Sequence, residues 1–290
     1  MLNQVALVTQ TNKIAFSDLT VVAAAIQKQV TRDVSPAWNI QASVNAFATL
    51  DDVPLGYWHV VIDDTIPFDA GGIHLNDDNG QPYALVTYSD DWSLTTSHEV
   101  IEMLVDPSGN RTVAANSPKP DQGRVLVLVE TCDPSEAAKY GYTVNGVLVS
   151  DFYTPRFFDP VQSSGVRYSY SGAITKPLQV LDGGYMSWWD PQSKHVFQLF
   201  VTGTQKEIKD RGPLPAGFGT LRSFSDKFTN QHRQEIKKTP PAGLMLTATG
   251  AGKNMKAKVS KVDASTKANA DSVRAQIQVL AKSYSSAKKK

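Results

Sequence analysis

The sequence predicts an α+β domain, and three observations carry that prediction. A helical apolar period over Phe16–Val30 follows a short apolar strand, Val5–Val8. Several strand-like segments come next, divided by turn residues rather than by further helices. A second helical period then appears near Thr95–Val105, ahead of a β-rich remainder. At 290 residues and 41% hydrophobic content, the chain is long enough to bury a substantial core.

Taken in order, Val5–Val8 is a continuous apolar run, as expected of a strand covered on both faces. In the helix after it, Leu19, Val22, Ala23 and Ile26 fall on one face. Asn39–Thr49, Gly56–Ile62, Gly72–Leu75 and Tyr83–Tyr88 each read as strands. Aspartate doublets punctuate them at Asp51-Asp52, Asp63-Asp64, Asp77-Asp78 and Asp90-Asp91. Their position between strands reads as turn chemistry, with Asp78-Asn79-Gly80 a hairpin signal; calcium binding at one pair is the alternative. His59 sits in an apolar strand as an expected core residue, while His195 and His232 lie in plain strand-like and helical contexts.

The segment Ser97-His98-Glu99-Val100-Ile101-Glu102-Met103-Leu104-Val105-Asp106-Pro107 carries the pattern H-E-x-x-E. Residues four apart stack on one helical face, so His98 and Glu102 can reach a single metal ion. Glu99 turns toward the same cleft, placed to take a proton from a metal-bound water. Val100, Ile101, Leu104 and Val105 supply the apolar surface that anchors the helix. The chain has six glutamates against twenty-two aspartates and five histidines. Scattered at random, these residues produce H-E-x-x-E in roughly 0.2% of such chains, well below average composition. The bland alternative is a buried helix with ordinary ion pairs.

A catalytic zinc site needs three protein ligands and an open position. Asp106 lies about 12 Å beyond His98 along a continuous helix, and Pro107 makes it the expected helix end. His74, in Gly72-Ile73-His74-Leu75, is a substrate contact or an alternative ligand. Two carboxylate ligands would neutralise zinc formally and acidify a bound water less than three histidines do. Zinc is the first expectation, with manganese, iron or calcium as the harder ions that such donors accept.

This helix resembles that of zincin metallopeptidases, H-E-x-x-H, with the second histidine replaced by glutamate. The chain is also similar to uncharacterised bacterial and phage-encoded proteins across roughly residues 1–190. The likeness rests on the helix ending in Asp106-Pro107, on Glu130-Thr131-Cys132-Asp133-Pro134, on Val149–Pro155 and on Gly183-Gly184-Tyr185-Met186. The resemblance implies a zincin-like twisted mixed sheet backing a metal-binding helix, with a β-rich C-terminal part. It implies Glu130 as the third ligand, since glutamate-zincins take one from a downstream element; Asp133, Asp106 and His74 remain alternatives. It also implies an edge strand, Gly72–Leu75 or Tyr83–Tyr88, that binds extended peptide by β-addition. Gly183–Met186 is similar to the methionine turn of metzincins, with Tyr185 then a donor to a tetrahedral intermediate; a plain glycine turn is the alternative. The implied function is a metallopeptidase-like hydrolase acting on peptide or protein. A non-catalytic structural or interaction protein, virion-associated or in a secreted assembly, is the other reading.

The remaining features bound these expectations. Cys132 is the single cysteine, so no intramolecular disulfide forms and no cysteine-based zinc pattern exists. Residues 1–240 read as the metal-binding domain, and Pro240-Pro241-Ala242-Gly243 marks the passage to a basic low-complexity tail, 241–290. Residues 251–290 hold ten Lys or Arg against two Asp, a net of +8, which leaves −7 for residues 1–250 within the total of +1. Val273, Ile277, Leu280 and Tyr284 predict a helix over 271–284, and the tail is suited to docking an anionic surface or a partner protein. An acidic body without a nucleic-acid motif argues against nucleic-acid binding. Neither a signal peptide nor a membrane span is evident, which fits a cytoplasmic or particle-associated protein, or export without a cleaved signal.

Overall fold

The computed structural model describes residues 2–237, with side chains through 229; the tail and its expected helix lie outside the described residues. Mixed α and β structure forms around two five-stranded sheets. The first sheet contains β1 (Asn3–Thr9), β2 (Ala42–Ala46), β3 (Trp58–Asp63), β4 (Gly72–Asn76) and β5 (Pro82–Thr87), in the order β2-β1-β3-β5-β4. All its pairings are parallel except β4 with β5. The four buried residues Val5–Val8 lie on β1, an interior strand paired in parallel on both sides.

Between β1 and β2, α1 (Phe16–Gln29) buries Leu19, Val22, Ala23 and Ile26. Its end at Gln29 lies within one residue of the expected Val30. The chain continues through a π-helical turn, Val30–Val34, into α2 (Ser35–Trp38), and leaves it at Asn39 with φ 54°. Within that turn the buried Asp33 carboxylate pairs with Arg32 and accepts a 2.8 Å hydrogen bond from the Tyr142 hydroxyl. Asn39 is used in the turn, so β2 is shorter than the expected Asn39–Thr49 strand. His59 in β3 is half-buried rather than a core residue. The β4–β5 turn is built on Asp77, whose carboxylate accepts the Asn79 and Gln81 N–H groups at 2.8 Å each, with Gly80 at φ 77°.

Next come α3 (Trp92–Val105), β6 (Thr112–Asn116), β7 (Arg124–Leu128), the hairpin β8 (Tyr142–Val144) and β9 (Val147–Val149), β10 (Tyr185–Trp189), β11 (His195–Thr202), β12 (Gln205–Pro213) and α4 (Leu221–Lys237). The second sheet is antiparallel, in the order β12-β11-β10-β7-β6. Two apolar cores meet at α3. Val100, Met103 and Leu104 pack with the first sheet, whereas Ile101 and Val105 pack with the second. Each of these side chains contributes roughly 1.5–3 kcal/mol by leaving water. Their burial offsets the cost of holding His98, Glu99 and Glu102 inside the protein. No helix among the described residues is long and apolar enough to cross a membrane.

Candidate metal centre

The third face of α3 is polar and buried. His98 Nε2 lies 3.1 Å from Glu102 Oε2, as the i, i+4 spacing requires. A turn after β7 closes over this pair. There the Cys132 N–H donates to Glu102 Oε1 at 2.8 Å and the Asp133 N–H donates at 3.3 Å, fixing one carboxylate oxygen by backbone donors. The other oxygen faces His98 and, at 3.9 Å, His74 Nδ1. Gly184 permits this approach: a Cβ there would stand 2.6 Å from the Pro134 carbonyl oxygen and 2.7 Å from that of Asp133.

Two trios of potential ligand atoms lie within 4.8 Å of one another: His98, Glu102 and Asp133, and His74, Glu102 and Glu130. Asp133 Oδ1 stands 3.3 Å from His98 Nε2. For tetrahedral zinc with bonds near 2.0 Å, neighbouring ligand atoms lie about 3.3 Å apart, which matches both His98 separations. The expected combination of His98, Glu102 and Glu130 is thus divided. Asp133 joins His98 and Glu102, and Glu130 joins His74 instead. The strand ends at Leu128, so Glu130 leaves the ladder, and the 3₁₀ turn Asp133–Ser135 brings Asp133 to α3. Asp106 has another task as the C-cap of α3. Its carboxylate accepts the Arg111 N–H at 2.9 Å, the Asn110 N–H at 3.2 Å and the Ser108 hydroxyl at 3.0 Å.

Burial sets the electrostatics. It pushes the Glu99 carboxyl up to about 8 despite the opposing His98 charge, and pushes Asp133 up to about 8 with the Glu102 charge adding to it. Glu130 is carried well above the carboxylate range by burial, then by Glu102. Burial also raises Glu102, but the His98 charge and hydrogen bond bring it down to about 2. For His98, burial favours the neutral ring, yet the Glu102 charge and its other partners carry it well above the ordinary value. His74 is pushed well down by burial and then by Arg222. The Cys132 thiol is buried in the core and raised by that burial, so it is held as an unreactive thiol.

His74 projects from β4, the edge strand of the first sheet, and its Nδ1 is 3.1 Å from Glu99 Oε2. Gly72, two residues earlier on β4, makes room for this carboxylate. An added Cβ would lie 2.4 Å from Glu99 Oε1 and 2.7 Å from Thr95 Cγ2. The centre opens into a cavity of about 440 Å³ lined by His74, His98, Glu99, Tyr185 and Arg222, among others. Tyr185 is buried at the start of β10, stacked on Phe200 at 5.7 Å, and the Gly183 turn at φ 90° precedes it. Arg222 on α4 is a site residue with no sequence signal: a single arginine at the start of an amphipathic helix, far from the motif. Its guanidinium is buried and donates to the Asp106 carbonyl at 3.3 Å and to Asn76 Oδ1 at 3.4 Å. Comparison with protein-family models, curated proteins and solved structures found no match.

Proposed function

We propose that this chain is a metal-dependent hydrolase of zincin-like architecture, acting on peptide or protein. The observation that carries the reading is the convergence of His98, Glu102 and Asp133, with His98, Glu102 and Glu99 on the wall of one cavity. The donor set fits a divalent cation. Its members are buried, their spacing suits tetrahedral zinc, and Glu130 Oε1 and His74 Nε2 beside them lack hydrogen-bond partners. When bound, such an ion polarises a carbonyl and makes a water acidic. His98, Glu102 and Asp133 would hold zinc, with manganese, iron or calcium accommodated by the carboxylates.

Glu99 is the proton-handling group. Its carboxyl lines the cavity next to His98 and Glu102, and Glu99 Oε2 is 3.1 Å from His74 Nδ1, within reach of a proton at the centre. Tyr185 and Arg222 line the same cavity and serve as donors to a developing oxyanion. Resolved as the sheet edge, β4 lies beside α3 and offers an extended substrate backbone partners along its outer side. Four parallel strands with an antiparallel edge strand ahead of the helix support the zincin-like reading.

One observation favours a second reading, a structural or interaction protein with a non-catalytic metal. The donors are rich in carboxylate, which blunts the ion's acidifying power. Glu99→Gln separates the two. A hydrolase loses roughly 10²–10⁴-fold in turnover of a peptide library while keeping its fold and its metal. Metal-loaded wild-type protein that cleaves no peptide sinks the hydrolase reading.

A further inference from the structure

His74 presents a problem that one ion at His98 does not solve. Its Nδ1 is engaged by Glu99 Oε2 at 3.1 Å, whereas its Nε2 is buried without a hydrogen-bond partner. Glu130 Oε2 stands 3.6 Å from Nε2, beyond hydrogen-bond reach, and Glu130 Oε1 is itself buried without a partner. Both residues are more than nine-tenths buried, so water does not readily satisfy them. In the tautomer with the proton on Nδ1, Glu99 accepts it and Nε2 keeps a free lone pair, the arrangement found behind metal-ligating histidines.

Charge points the same way. Glu99, Glu102, Glu130 and Asp133 are all buried here, and Arg222 is the buried guanidinium facing them. Once a bound ion has released their protons, four carboxylates exceed the three positive charges that Arg222 and one divalent cation supply.

We propose a second cation site in which His74 Nε2, Glu130 and Glu102 hold one divalent ion, with Glu102 shared as a bridge to the ion at His98 and Asp133. This rests on the metal-centre reading above and extends it to a two-ion centre. Glu102 suits the bridging role, because it belongs to both trios and backbone N–H groups fix its orientation from behind. Glu99 then also positions His74 through Nδ1.

The test uses the full chain, stripped by chelator dialysis and titrated with Mn²⁺ alone, with calorimetric stoichiometry and electron paramagnetic resonance as readouts. Two equivalents with an exchange-coupled spectrum are expected, because a bridging carboxylate couples the two spins. His74→Ala should bind one equivalent and show the hyperfine pattern of an isolated ion, and His98→Ala should do likewise. Saturation at one equivalent, lost in His98→Ala but kept in His74→Ala, overturns the second site and leaves the single-ion reading standing. Two equivalents without coupling overturn the shared Glu102. No binding by the wild type removes both readings. The wild-type count and line shape need no variant, so a His74→Ala protein that fails to fold leaves the test intact.

Discussion

Replacing Gly72 by alanine tests the contact between β4 and α3 on which the site depends. Gly72 has an ordinary backbone conformation, so alanine meets no φ strain there. The new methyl would stand 2.4 Å from Glu99 Oε1, 2.7 Å from Thr95 Cγ2 and 2.8 Å from Glu99 Cγ. Glu99 can swing its carboxylate aside, but the β-branched Thr95 is stiff, so the strand must also shift. Overpacking of this kind costs about 1–3 kcal/mol, and parting Glu99 from His74 costs about 1–3 kcal/mol more. Restricting the unfolded chain returns about 0.4–1 kcal/mol. A net loss of about 3 kcal/mol corresponds to a melting temperature lower by roughly 6–12 °C for a domain of this size. Gly71→Ala is the control one residue away, since its added methyl would meet nothing closer than Thr95 Cγ2 at 3.9 Å. Scanning calorimetry of both variants, with and without metal, gives the comparison. A Gly72→Ala protein that melts with Gly71→Ala and binds metal like wild type refutes the argument.

Three further outcomes follow from the same geometry. In chelator, the protein should lose stability as pH rises from about 5 to 9. Glu99 and Asp133 hold protons in the folded state up to about 8 and His98 is also raised; His74, pushed down, opposes them, and the native state still binds more protons than the unfolded chain. Denaturant midpoints at pH 5, 7 and 9 check this, and Glu99→Gln should flatten the slope; a midpoint that rises with pH contradicts it. Metal at a hundredfold over its dissociation constant should add about 2.7 kcal/mol, and His98→Ala should remove most of that gain in a thermal shift assay. Asp106→Asn should cost about 1–3 kcal/mol through its lost backbone acceptor and leave metal content unchanged; a loss of metal would make Asp106 a ligand after all.

Periodicity exposed α3 and the His98–Glu102 face, because both depend on local spacing alone. The same holds for the Asp77 turn and most strands of the first sheet, whose apolar runs and turn residues are contiguous. What escaped local reading is set by contacts distant in sequence. Asp133 and Glu130 stand three residues apart, and the point where β7 leaves its ladder determines which of them meets His98. The π-helical turn after α1 holds Asp33, whose partner Tyr142 lies more than a hundred residues away. Arg222 reaches the centre from the far end of the domain, and nothing around it in the chain marks it. His74 was visible as a candidate, but its role depends on which nitrogen Glu99 engages, and only the fold decides that.

Since α3 packs one apolar row into each of the two cores, neither sheet can shed its neighbour without exposing half of that helix. The two halves of residues 2–237 should therefore melt in one transition, and a cavity cut in the second sheet, as by Val127→Ala, should lower the unfolding midpoint reported from the first. An ion placed on the remaining face would tighten both halves at once. Ligand occupancy would then register as a rise in the midpoint of the whole domain, rather than as local ordering around the cleft.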